Sequence, residues 1–396
     1  MIDNLPNGWK IEELGNMNLD ISDGNYSSLY PTQNEFIEKG IPFIRANNIS
    51  KNTIIDEDMR FISEDKHAIL KKGQLKQNDL LFTNRGIIGQ VGIVPDKYIG
   101  ANINAQIVRI NSGNKFTNKY LMYCFLKQEL KNQMTKLETG STLKQLPIRQ
   151  LKKLNIPIPP LEQQEKIVKV LDLTSNLIEK QKELLEKYDL FLKSKFIEMF
   201  GDPILNPMGW KVVSFNKLAT IKTKSIKAED ITNEIYIGLD CIEKDTGKLL
   251  FSYNSENEEV KSNKYIFTSN MLLYGKLRPY LNKVLLPKFD GICSTDILPI
   301  EPIKSKSTKE YLAYFLRNSY IVEILSNSVS GANLPRVSLQ IIKELKIMEV
   351  PIELQNKFAS IVEKIETIKE KENQKLKQMN DLHNSMMNKA FKGEIK

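Results

Sequence analysis

One pattern of residues occurs twice in this chain, about 191 residues apart. KYLMYCFL from Lys119 matches EYLAYFLR from Glu310, and each is followed by a glycine turn, a leucine-rich segment and a proline. The offset stays at 191 or 192 from the block that begins at Asp79 to the block that contains Pro160. A constant offset over separated blocks is typical of a tandem duplication, in which both copies fold alike. We therefore predict two similar domains.

The size and composition of the chain allow two independent domains. Its 396 residues are 41% hydrophobic and 27% charged, which is a globular composition, and one ordinary core rarely holds so many residues. No apolar run approaches the roughly 18 residues of a membrane-spanning helix. The N-terminal residues contain early acids and lack the pattern of an export signal. We expect a cytoplasmic protein without a membrane partner.

Each copy combines short β-type segments with one helix. In the first copy, IPFIRA, DLLFTN, IGQVGIV and AQIVRI predict strands, and residues 118–136 have helical spacing. In the second copy, EIYIGL, NMLLYG, KVLLP and DILPI predict strands, and residues 308–325 predict a helix. Few β-α-β alternations occur. We therefore expect an α+β fold in which each domain has a compact sheet with helices on one side.

A long helix follows each copy. IPIPP predicts an extended approach, and residues 161–200 then continue without Gly or Pro until Gly201 and Pro203 end the helix. The second helix ends before Gly393. Apolar residues spaced seven apart in both helices are typical of a coiled-coil seam. Since the first helix enters the second domain and the second helix leaves it, packing along one seam makes the helices antiparallel.

The fold prediction is two mixed α/β domains in tandem repeat, separated by two long helices that form an antiparallel coiled coil and act as a rigid spacer. The predicted boundaries are 1–157 for the first domain, 158–201 for the first helix, 202–348 for the second domain and 349–396 for the second helix. The predicted seam residues are Leu171, Ile178, Leu185, Leu192, Ile361, Ile365, Ile368 and Met379. A neighbouring column of the first helix comprises Val170, Leu177, Leu184 and Phe191.

The net charge of +9 is concentrated in the two predicted domains. Residues 1–157 have a net charge of +5 and residues 202–348 a net charge of +4, whereas both helical segments are close to neutral. Basic domains on a neutral spacer indicate polyanion binding at two places.

Motifs for catalysis are missing from the sequence. No GxxxxGK[ST] or GxGxxG segment is present to bind nucleotide phosphates. Cys124, Cys241 and Cys293 lie far apart and the only histidines are His67 and His383, so a structural zinc site or a disulfide framework is close to excluded. We expect no metal site and no catalytic residue in this chain.

The end of each copy resembles a known family. TGSTLKQLPIRQLKKLNIPIPPLEQQEKIVKVLD, residues 139–172, and the weaker copy at residues 330–362 combine a glycine turn, a leucine-rich approach, a proline and a long helix. With GWK at the start of each copy, this order of elements resembles the specificity subunit of type I restriction-modification enzymes over the whole chain. The second copy departs from the pattern, because EVPI at residues 349–352 replaces the double proline and Leu354 replaces a glutamine.

The resemblance implies a non-catalytic protein that recognises double-stranded DNA. In such a subunit, two target-recognition domains each bind half of a split sequence, and the helices set the gap between the halves. The resemblance also implies two docked methyltransferase (modification) subunits, which bring S-adenosylmethionine, and restriction subunits that use ATP and Mg; this chain itself has no cofactor. Because the two copies differ in sequence, their half-sites should differ and the full target should be asymmetric.

Candidate DNA-contacting residues come from polar loop positions. Arg on guanine and Asn or Gln on adenine make bidentate contacts, whereas Lys mostly contacts phosphate. In the first domain the candidates are Arg45, Asn47, Asn48, Thr83, Asn84, Arg85, Gln90 and Lys144. In the second domain they are Lys222, Lys224, Lys276, Arg278 and Arg336. Gly140 and Gly331 are better explained as turn formers.

Two other functions fit parts of the sequence. A coiled-coil adaptor protein without DNA recognition would also need the two long helices. A nuclease could use Asp96, Glu129 and Lys131, although these residues are widely separated in the sequence.

Overall fold

The computed structural model describes residues 6–113, 116–141, 143–254, 262–329 and 334–395. The chain divides into two compact units. Unit 1 comprises Met1–Glu179 and Lys377–Lys396, and unit 2 comprises Lys180–Leu376. Both points at which the chain passes from one unit to the other fall inside a long helix. Each unit therefore contains one copy of the repeat and a part of both helices.

Short strands make up the sheets of unit 1, as expected for segments interrupted by Gly, Pro and Asn. The strands are β1 (Lys10–Glu13), β2 (Asp20–Asp23), β3 (Phe36–Ile37), β4 (Ile41–Ile44), β5 (Ile49–Ser50), β6 (Thr53–Ile54), β7 (Arg60–Ile62), β8 (Leu80–Thr83), β9 (Val91–Ile93), β10 (Asn102–Ile103), β11 (Ile107–Asn111) and β12 (Asn155–Ile158). The helices are α1 (Glu64–Ile69), α2 (Asn118–Leu126), α3 (Gln128–Leu137), α4 (Ile148–Leu151) and the first part of α5 (Leu161–Phe200).

The strands of unit 1 form separate small sheets. One is antiparallel with the order β2-β11-β8-β9, and another has the order β10-β4-β7-β3 with β10 and β4 parallel. Strands β1 and β12 pair, so the start of the copy is joined to the strand that precedes α5. The main core forms where α2 packs on the antiparallel sheet and buries Phe82, Tyr120 and Phe125.

Unit 2 contains the second copy and repeats this construction. Its strands are β13 (Lys211–Ser214), β14 (Ala219–Ile221), β15 (Ser225–Ile226), β16 (Ile235–Ile237), β17 (Tyr253–Asn254), β18 (Lys264–Phe267), β19 (Leu272–Gly275), β20 (Val284–Leu285), β21 (Gly291–Cys293), β22 (Ile297–Pro302) and β23 (Lys346–Glu349). Its helices are α6 (Lys309–Leu316), α7 (Ser319–Asn327), α8 (Leu339–Glu344) and part of α9 (Ile352–Phe391).

Two sheets of unit 2 match sheets of unit 1, whereas the third has five strands in the order β15-β18-β21-β16-β17. The order β14-β22-β19-β20 corresponds to β2-β11-β8-β9, and the parallel pair of β16 with β21 corresponds to that of β4 with β10. The pairing of β13 with β23 corresponds to that of β1 with β12. The duplication predicted from the sequence is therefore confirmed in the strand order.

Two predictions about the interior of each copy are wrong. The expected single sheet is instead a set of small sheets, because the strands are two to six residues long and turns separate them. Each predicted helix is also two helices. Residues 118–136 divide at Lys127, whose backbone is extended, and residues 308–325 divide at Asn318, whose side chain accepts from Tyr320 N and caps α7. An Asn followed by Ser is a helix-start signal that could have revealed the second break.

The long helices have the lengths that the sequence predicts. Helix α5 covers Leu161–Phe200 and α9 covers Ile352–Phe391, each with 40 residues. In unit 1, Thr174 Oγ1 of α5 lies 2.7 Å from His383 Nδ1 of α9. The prediction that the end of α9 returns to the first copy is confirmed, because unit 1 contains Lys377–Lys396 and its core includes Phe391.

The part of each helix that lies in unit 2 makes further contacts in a consistent order. Gln181 Nε2 donates to Glu372 Oε2 at 2.7 Å, and Lys369 Nζ donates to Asp189 Oδ1 at 2.7 Å. Nearer the end of α5, the rings of Phe196 and Phe358 are 5.7 Å apart. Positions rising along α5 meet positions falling along α9. The two helices therefore run in opposite directions where they touch in unit 2.

The predicted seam residues differ in burial. Leu171, Ile178 and Leu192 are buried, and Leu185, Ile361, Ile365 and Met379 are half-buried. Ile368 is exposed, and the neighbouring column is wrong as a buried column because Leu177 and Phe191 are exposed. The physical reason is that the buried stripe turns with the helix and passes through Ile167, Thr174, Gln181 and Phe196, residues that fill the cores or make polar contacts.

A buried glutamine stabilises the start of each long helix. Gln164 Oε1 accepts from Thr117 N at 3.1 Å, and its Nε2 donates to Pro159 O at 3.0 Å. In unit 2, Gln355 Oε1 accepts from Thr308 N at 3.0 Å, and its Nε2 donates to Val350 O at 2.8 Å. The second copy therefore keeps this contact although it lacks the double proline.

Replacing Gln355 with methionine is expected to lower the free energy of unfolding by about 1–3 kcal/mol, because Thr308 N and Val350 O lose their buried partner. Urea denaturation of the full chain measures this effect. The matched control is Gln374→Met, since Gln374 is an exposed glutamine on the same helix. Equal stability of the two variants would show that the buried amide contributes nothing.

Candidate nucleic-acid interface

In unit 1, the loop after β8 is held against the turn that follows α3. Leu146 N donates to Asn84 O at 2.8 Å, and Gly86 N donates to Lys144 O at 3.2 Å. Asn84 N donates to Gln106 O at 2.9 Å, which attaches the loop that precedes β11. These bonds bring the candidates of the loop after β8 next to the candidate Lys144 and next to the segment that contains Gln106.

In unit 2, the loop after β19 has the same backbone contacts. Val337 N donates to Lys276 O at 3.1 Å, Arg278 N donates to Pro335 O at 2.8 Å, and Lys276 N donates to Asp296 O at 2.9 Å. Arg278 has φ +52° and its equivalent Gly86 has φ +74°, so even the left-handed position is shared. In each unit, this loop and the two segments bonded to it form what we call the recognition frame.

The two recognition frames have the same backbone but different side chains. Each equivalence follows from the hydrogen bonds above and from the bridges Arg85↔Gln145 and Leu277↔Arg336. The pairs of equivalent residues are Asn84 and Lys276, Arg85 and Leu277, Gly86 and Arg278, Lys144 and Pro335, Gln145 and Arg336, and Gln106 and Asp296. A shared framework with exchanged side chains can present different contacts to two different partners.

Asn48 holds a turn together from inside the protein. It is buried, its Oδ1 accepts from Arg45 N at 3.0 Å, and its Nδ2 donates to Glu57 O at 2.8 Å. In unit 2, Cys241 Sγ accepts from Gly238 N at 3.3 Å in the same kind of turn. The position of Asn48 therefore does not support the prediction that it contacts DNA. In both turns the buried side chain stands four residues after the last residue of a strand, Ile44 or Ile237.

Arg45 and Asn47 flank this buried residue. Arg45 Nη2 donates to Asp58 Oδ2 at 2.7 Å, and little of the arginine side chain is exposed, so its charge is already paired. Asn47 is exposed at the same turn. Of these neighbouring candidates, Asn47 is thus the side chain that faces solvent.

Three candidates of the loop after β8 differ in accessibility. Thr83 is fully buried, and its Oγ1 donates to Ile87 O at 2.5 Å and accepts from Gln90 N at 2.9 Å. Asn84 is 2% exposed. Gln90 is half-buried at the end of the loop. Thr83 and Asn84 therefore shape the loop from inside, and their positions do not support direct contact with a base.

Arg85 lies on the face of an aromatic ring. Its Cζ is 4.9 Å from the centroid of Tyr26, and Lys72 Nζ is 5.0 Å from the same centroid. Burial raises the pKa of the Tyr26 hydroxyl to about 12, and the hydrogen bond to Asp23 acts in the same direction. The ring is therefore neutral, and two cations share it.

The lysine candidates lie at the surface. Lys144 is exposed and its Nζ is 3.1 Å from Glu138 Oε2. Lys222 is half-exposed and its Nζ is 2.8 Å from Glu301 Oε2. Lys224 and Arg278 are exposed, and Lys276 is half-buried. Pairs at such exposed positions are weak, so the lysines remain able to exchange a carboxylate for a phosphate.

Arg336 links two parts of the recognition frame of unit 2. Its Nε is 2.9 Å from Asp296 Oδ1 and its Nη2 is 3.1 Å from Asp296 Oδ2. These hydrogen bonds hold the pKa of the Asp296 carboxyl below its usual range. Arg336, a predicted DNA contact, is thus already paired with a carboxylate.

The glycine turns are described in one unit only. Gly140 has φ +92°, and an added Cβ would lie 2.4 Å from Leu143 O, so its prediction as a turn former is confirmed. Gly331 lies outside the described residues.

Sequence reasoning missed Tyr26, Asp23, Lys72 and Asp296. Tyr26 reaches Arg85 from a position far away in the sequence, Lys72 contacts the same ring, and a single sequence carries no signal of such contacts. Asp296 could have been proposed, because it is the first residue of the predicted strand DILPI and stands at the position equivalent to Gln106.

Within the described residues, no hydrogen bond or ion pair joins Asp96, Glu129 and Lys131, the predicted nuclease residues. Asp96 begins a short 3-10 turn, whereas Glu129 lies in α3 and pairs with Lys127 at 3.2 Å. Within the described residues, no group of three or more His, Cys, Asp or Glu side chains is arranged to hold a metal ion. Cys124, Cys241 and Cys293 are buried free thiols, and burial raises the pKa of each.

In the ranges that the structure describes, no helix is both long enough and apolar enough to cross a membrane.

Comparison with known proteins identifies relatives that match about half or nearly all of this chain. The EcoDI specificity subunit of Escherichia coli is 31% identical over 193 residues, which span 48% of this chain and 43% of that protein. The MjaVIII specificity subunit of Methanocaldococcus jannaschii is 29% identical over 194 residues, or 47% of this chain and 44% of that protein. The chain thus spans less than half of these two relatives. The EcoKI specificity subunit of Escherichia coli K12 is 21% identical over 99% of this chain and 90% of that protein.

Solved structures share the fold. The S subunit of a type I restriction-modification system from M. genitalium has a TM-score of 0.54 and 15% identity, and the match covers 98% of this chain and 97% of that chain. A chain from a structural study of the assembly of a type I R-M system has a TM-score of 0.55 and 16% identity, with 98% of both chains covered.

A family model covers both copies of the repeat. The model described as "Type I restriction modification DNA specificity domain" matches residues 7–187 and 207–378. The chain therefore belongs to the family of type I restriction-modification DNA specificity domains.

Proposed function

We propose that each unit binds one half of a split double-stranded DNA target and that the two half-sites have different sequences. The observation that supports this most directly is the pair of recognition frames, which share backbone hydrogen bonds but exchange their side chains. Side chains recognise the edges of the bases, whereas the backbone framework that both units share can contact the sugar-phosphate backbone, which is alike in any duplex. The proposed target is therefore asymmetric.

The charge of the chain supports DNA as the partner. Both copies of the repeat are basic, with net charges of +5 for residues 1–157 and +4 for residues 202–348. Lysines at the surface of each unit would neutralise phosphates and release counterions, which makes binding sensitive to salt. This arrangement suits a protein that first binds the DNA phosphates and then recognises bases.

Helices α5 and α9 are proposed to form an antiparallel coiled coil that fixes the gap between the half-sites. Their opposed directions in unit 2, and the contact of Thr174 with His383 in unit 1, support the pairing. Because α5 continues for 40 residues without a break, it can act as a ruler.

The same helices are proposed to dock two methyltransferase (modification) subunits. Leu177 of α5 and its equivalent Ile368 of α9 are both exposed, at 42% and 38%, although the sequence predicts burial. An exposed apolar position repeated in both copies suits two copies of one partner. S-adenosylmethionine would then belong to the modification subunits, and ATP with Mg to restriction subunits.

The proposal is tested by expressing the chain with its modification subunits and mapping methylated bases over a whole genome. We expect one split and asymmetric motif, which disappears when the chain is omitted. An adaptor without DNA recognition would instead leave the methylated motif unchanged when the chain is removed.

A gel-shift titration supplies an independent readout. With the modification subunits present, raising the salt concentration from 50 to 200 mM is expected to weaken duplex binding by about 10³-fold or more if six or more phosphates are contacted. Binding that ignores both salt and sequence would contradict the proposal.

A further inference from the structure

Tyr26, Arg85, Lys72 and Asp23 form a side-chain cluster at the edge of the recognition frame in unit 1. The carboxylate of Asp23 contacts both Lys72 Nζ and the hydroxyl of Tyr26. Arg85 Nη2 is 3.4 Å from the Tyr26 hydroxyl, and its guanidinium lies over the ring. The carboxylate of Asp23 is the single negative charge of the cluster, and it pairs with Lys72. The positive charge of Arg85 is therefore not neutralised within the cluster.

Two glycines allow this cluster to form. A Cβ at Gly24 would lie 2.2 Å from Ile103 O, and a Cβ at Gly73 would lie 3.0 Å from the Cα of Gly24. Backbones can approach so closely only where side chains are absent. Asn25 Nδ2 also donates to Lys72 O at 2.7 Å. The position of Tyr26 next to Arg85 is thus fixed by close packing of two loops.

Arg85 differs from other arginines of this chain. Arg45, Arg109 and Arg336 each bind an aspartate at 2.6–3.3 Å. Within the described residues, Arg85 has no carboxylate partner, and its Nε and Nη1 have no hydrogen-bond acceptor. An arginine held by its face keeps the donors of its edge available for an external acceptor.

The space in front of this loop is open. A Cβ added at Gly86, the next residue, would meet no atom within 4 Å, and Ile87 is 71% exposed. A flat guanidinium beside open space has the geometry for a bidentate contact with the O6 and N7 of guanine in the major groove.

We propose that Arg85 contacts a guanine in the half-site bound by unit 1 and that Tyr26 is the positioning residue that orients it. This inference rests on the proposed DNA-binding function. It names the base class and adds a residue that the sequence did not indicate.

In the part of unit 2 that the structure describes, this cluster is missing. Leu277 stands at the position of Arg85. Lys222 N donates to Pro299 O of β22, which is the register of Ser22 with Arg109 of β11. Thr223 therefore stands at the position of Asp23. The arginine of the unit 2 loop is one residue later, at Arg278, and it is exposed. The guanine contact through an aromatic-held arginine is therefore assigned to unit 1 alone.

The experiment measures methylated motifs and duplex affinity for the full chain with its modification subunits. Arg85→Lys keeps the charge and the contact with the ring but loses the planar fork. We expect it to retain non-specific affinity while discrimination at one base pair of the unit 1 half-site falls about 10- to 100-fold. The unit 2 half-site should stay unchanged.

Variants of the ring separate positioning from a merely structural role. Tyr26→Phe keeps the ring and should retain discrimination at that base pair, whereas Tyr26→Leu should relax it in the same direction as Arg85→Lys. The matched control is Arg60→Ala, because Arg60 Cζ also lies 4.9 Å from the centroid of an aromatic ring, that of Phe36, outside the recognition frame. This control should leave both half-sites unchanged.

The outcomes distinguish the inference from the function on which it rests. If Arg85→Lys folds, binds and methylates the original motif with full discrimination, the inference is overturned while the proposed function stands. A change confined to the unit 2 half-site would also overturn it. If the unaltered complex shows no sequence-selective methylation, the proposed function itself fails. Thermal melting of each variant identifies any loss that is due to unfolding.

Discussion

Replacing Phe196 with alanine is expected to lower the free energy of unfolding of the full chain by about 3–5 kcal/mol. The ring is buried in unit 2, with its centroid 5.0 Å from Phe200, 5.7 Å from Tyr311 and 5.7 Å from Phe358. Its removal leaves a cavity where both long helices meet α6. Urea denaturation followed by circular dichroism measures the change.

The matched control for this variant lies five residues earlier on the same helix. Phe191 is 46% exposed, so Phe191→Ala removes the same ring without opening a core cavity. We expect a change within about 0.5 kcal/mol, as is usual for surface substitutions. Equal destabilisation by both variants would mean that the packing around Phe196 is not what stabilises the helix pair.

Lengthening both long helices by seven residues is expected to lengthen the gap of the DNA target by about three base pairs, because seven helical residues add about 10 Å. The insertions duplicate residues 177–183 directly after Glu183 and residues 365–371 directly after Lys371. Both points lie between the Gln181–Glu372 contact and the Asp189–Lys369 contact. A seven-residue insertion also preserves the spacing of the apolar residues. Genome-wide methylation mapping reads both half-sites and the gap.

A single insertion in α5 is the control for the paired design. It displaces the later half of α5 against an unchanged α9, so Asp189 and Lys369 are no longer opposite each other. We expect methylation activity to fall without a new, well-defined gap. If the paired variant recognised different half-site bases but kept the original gap, the proposal that the helices fix the gap would be contradicted.

Elements with strong local signals were predictable from the sequence. Pro160 and Gly201 bound a run of 40 residues without Gly or Pro, and the helix occupies those residues. The repeat could be detected because matching blocks of the two copies keep a constant spacing in the sequence. The main strands of each copy were also found, because apolar runs bounded by turn residues are typical of buried strands.

The accessibility of individual side chains was not predictable. Asn48 and Asn84 stand in polar loops, yet both are buried beside backbone groups of distant segments. Leu177 continues a regular apolar column, yet it is exposed because the buried stripe follows Thr174 and Ile178 instead. Periodicity gives the residues that share a helix face, but it does not give the element that covers that face.

The sequence by itself determined the duplication, the two long helices and the basic character of both copies, since each depends on residue spacing or on charge counting. Tertiary structure alone decided which polar side chains face outward and which support the loops. The reason is that a side chain such as Arg85 takes its orientation from Tyr26, which folding brings to it from a distant position in the chain. Such contacts depend on the packing of loops and leave no periodic trace in the sequence.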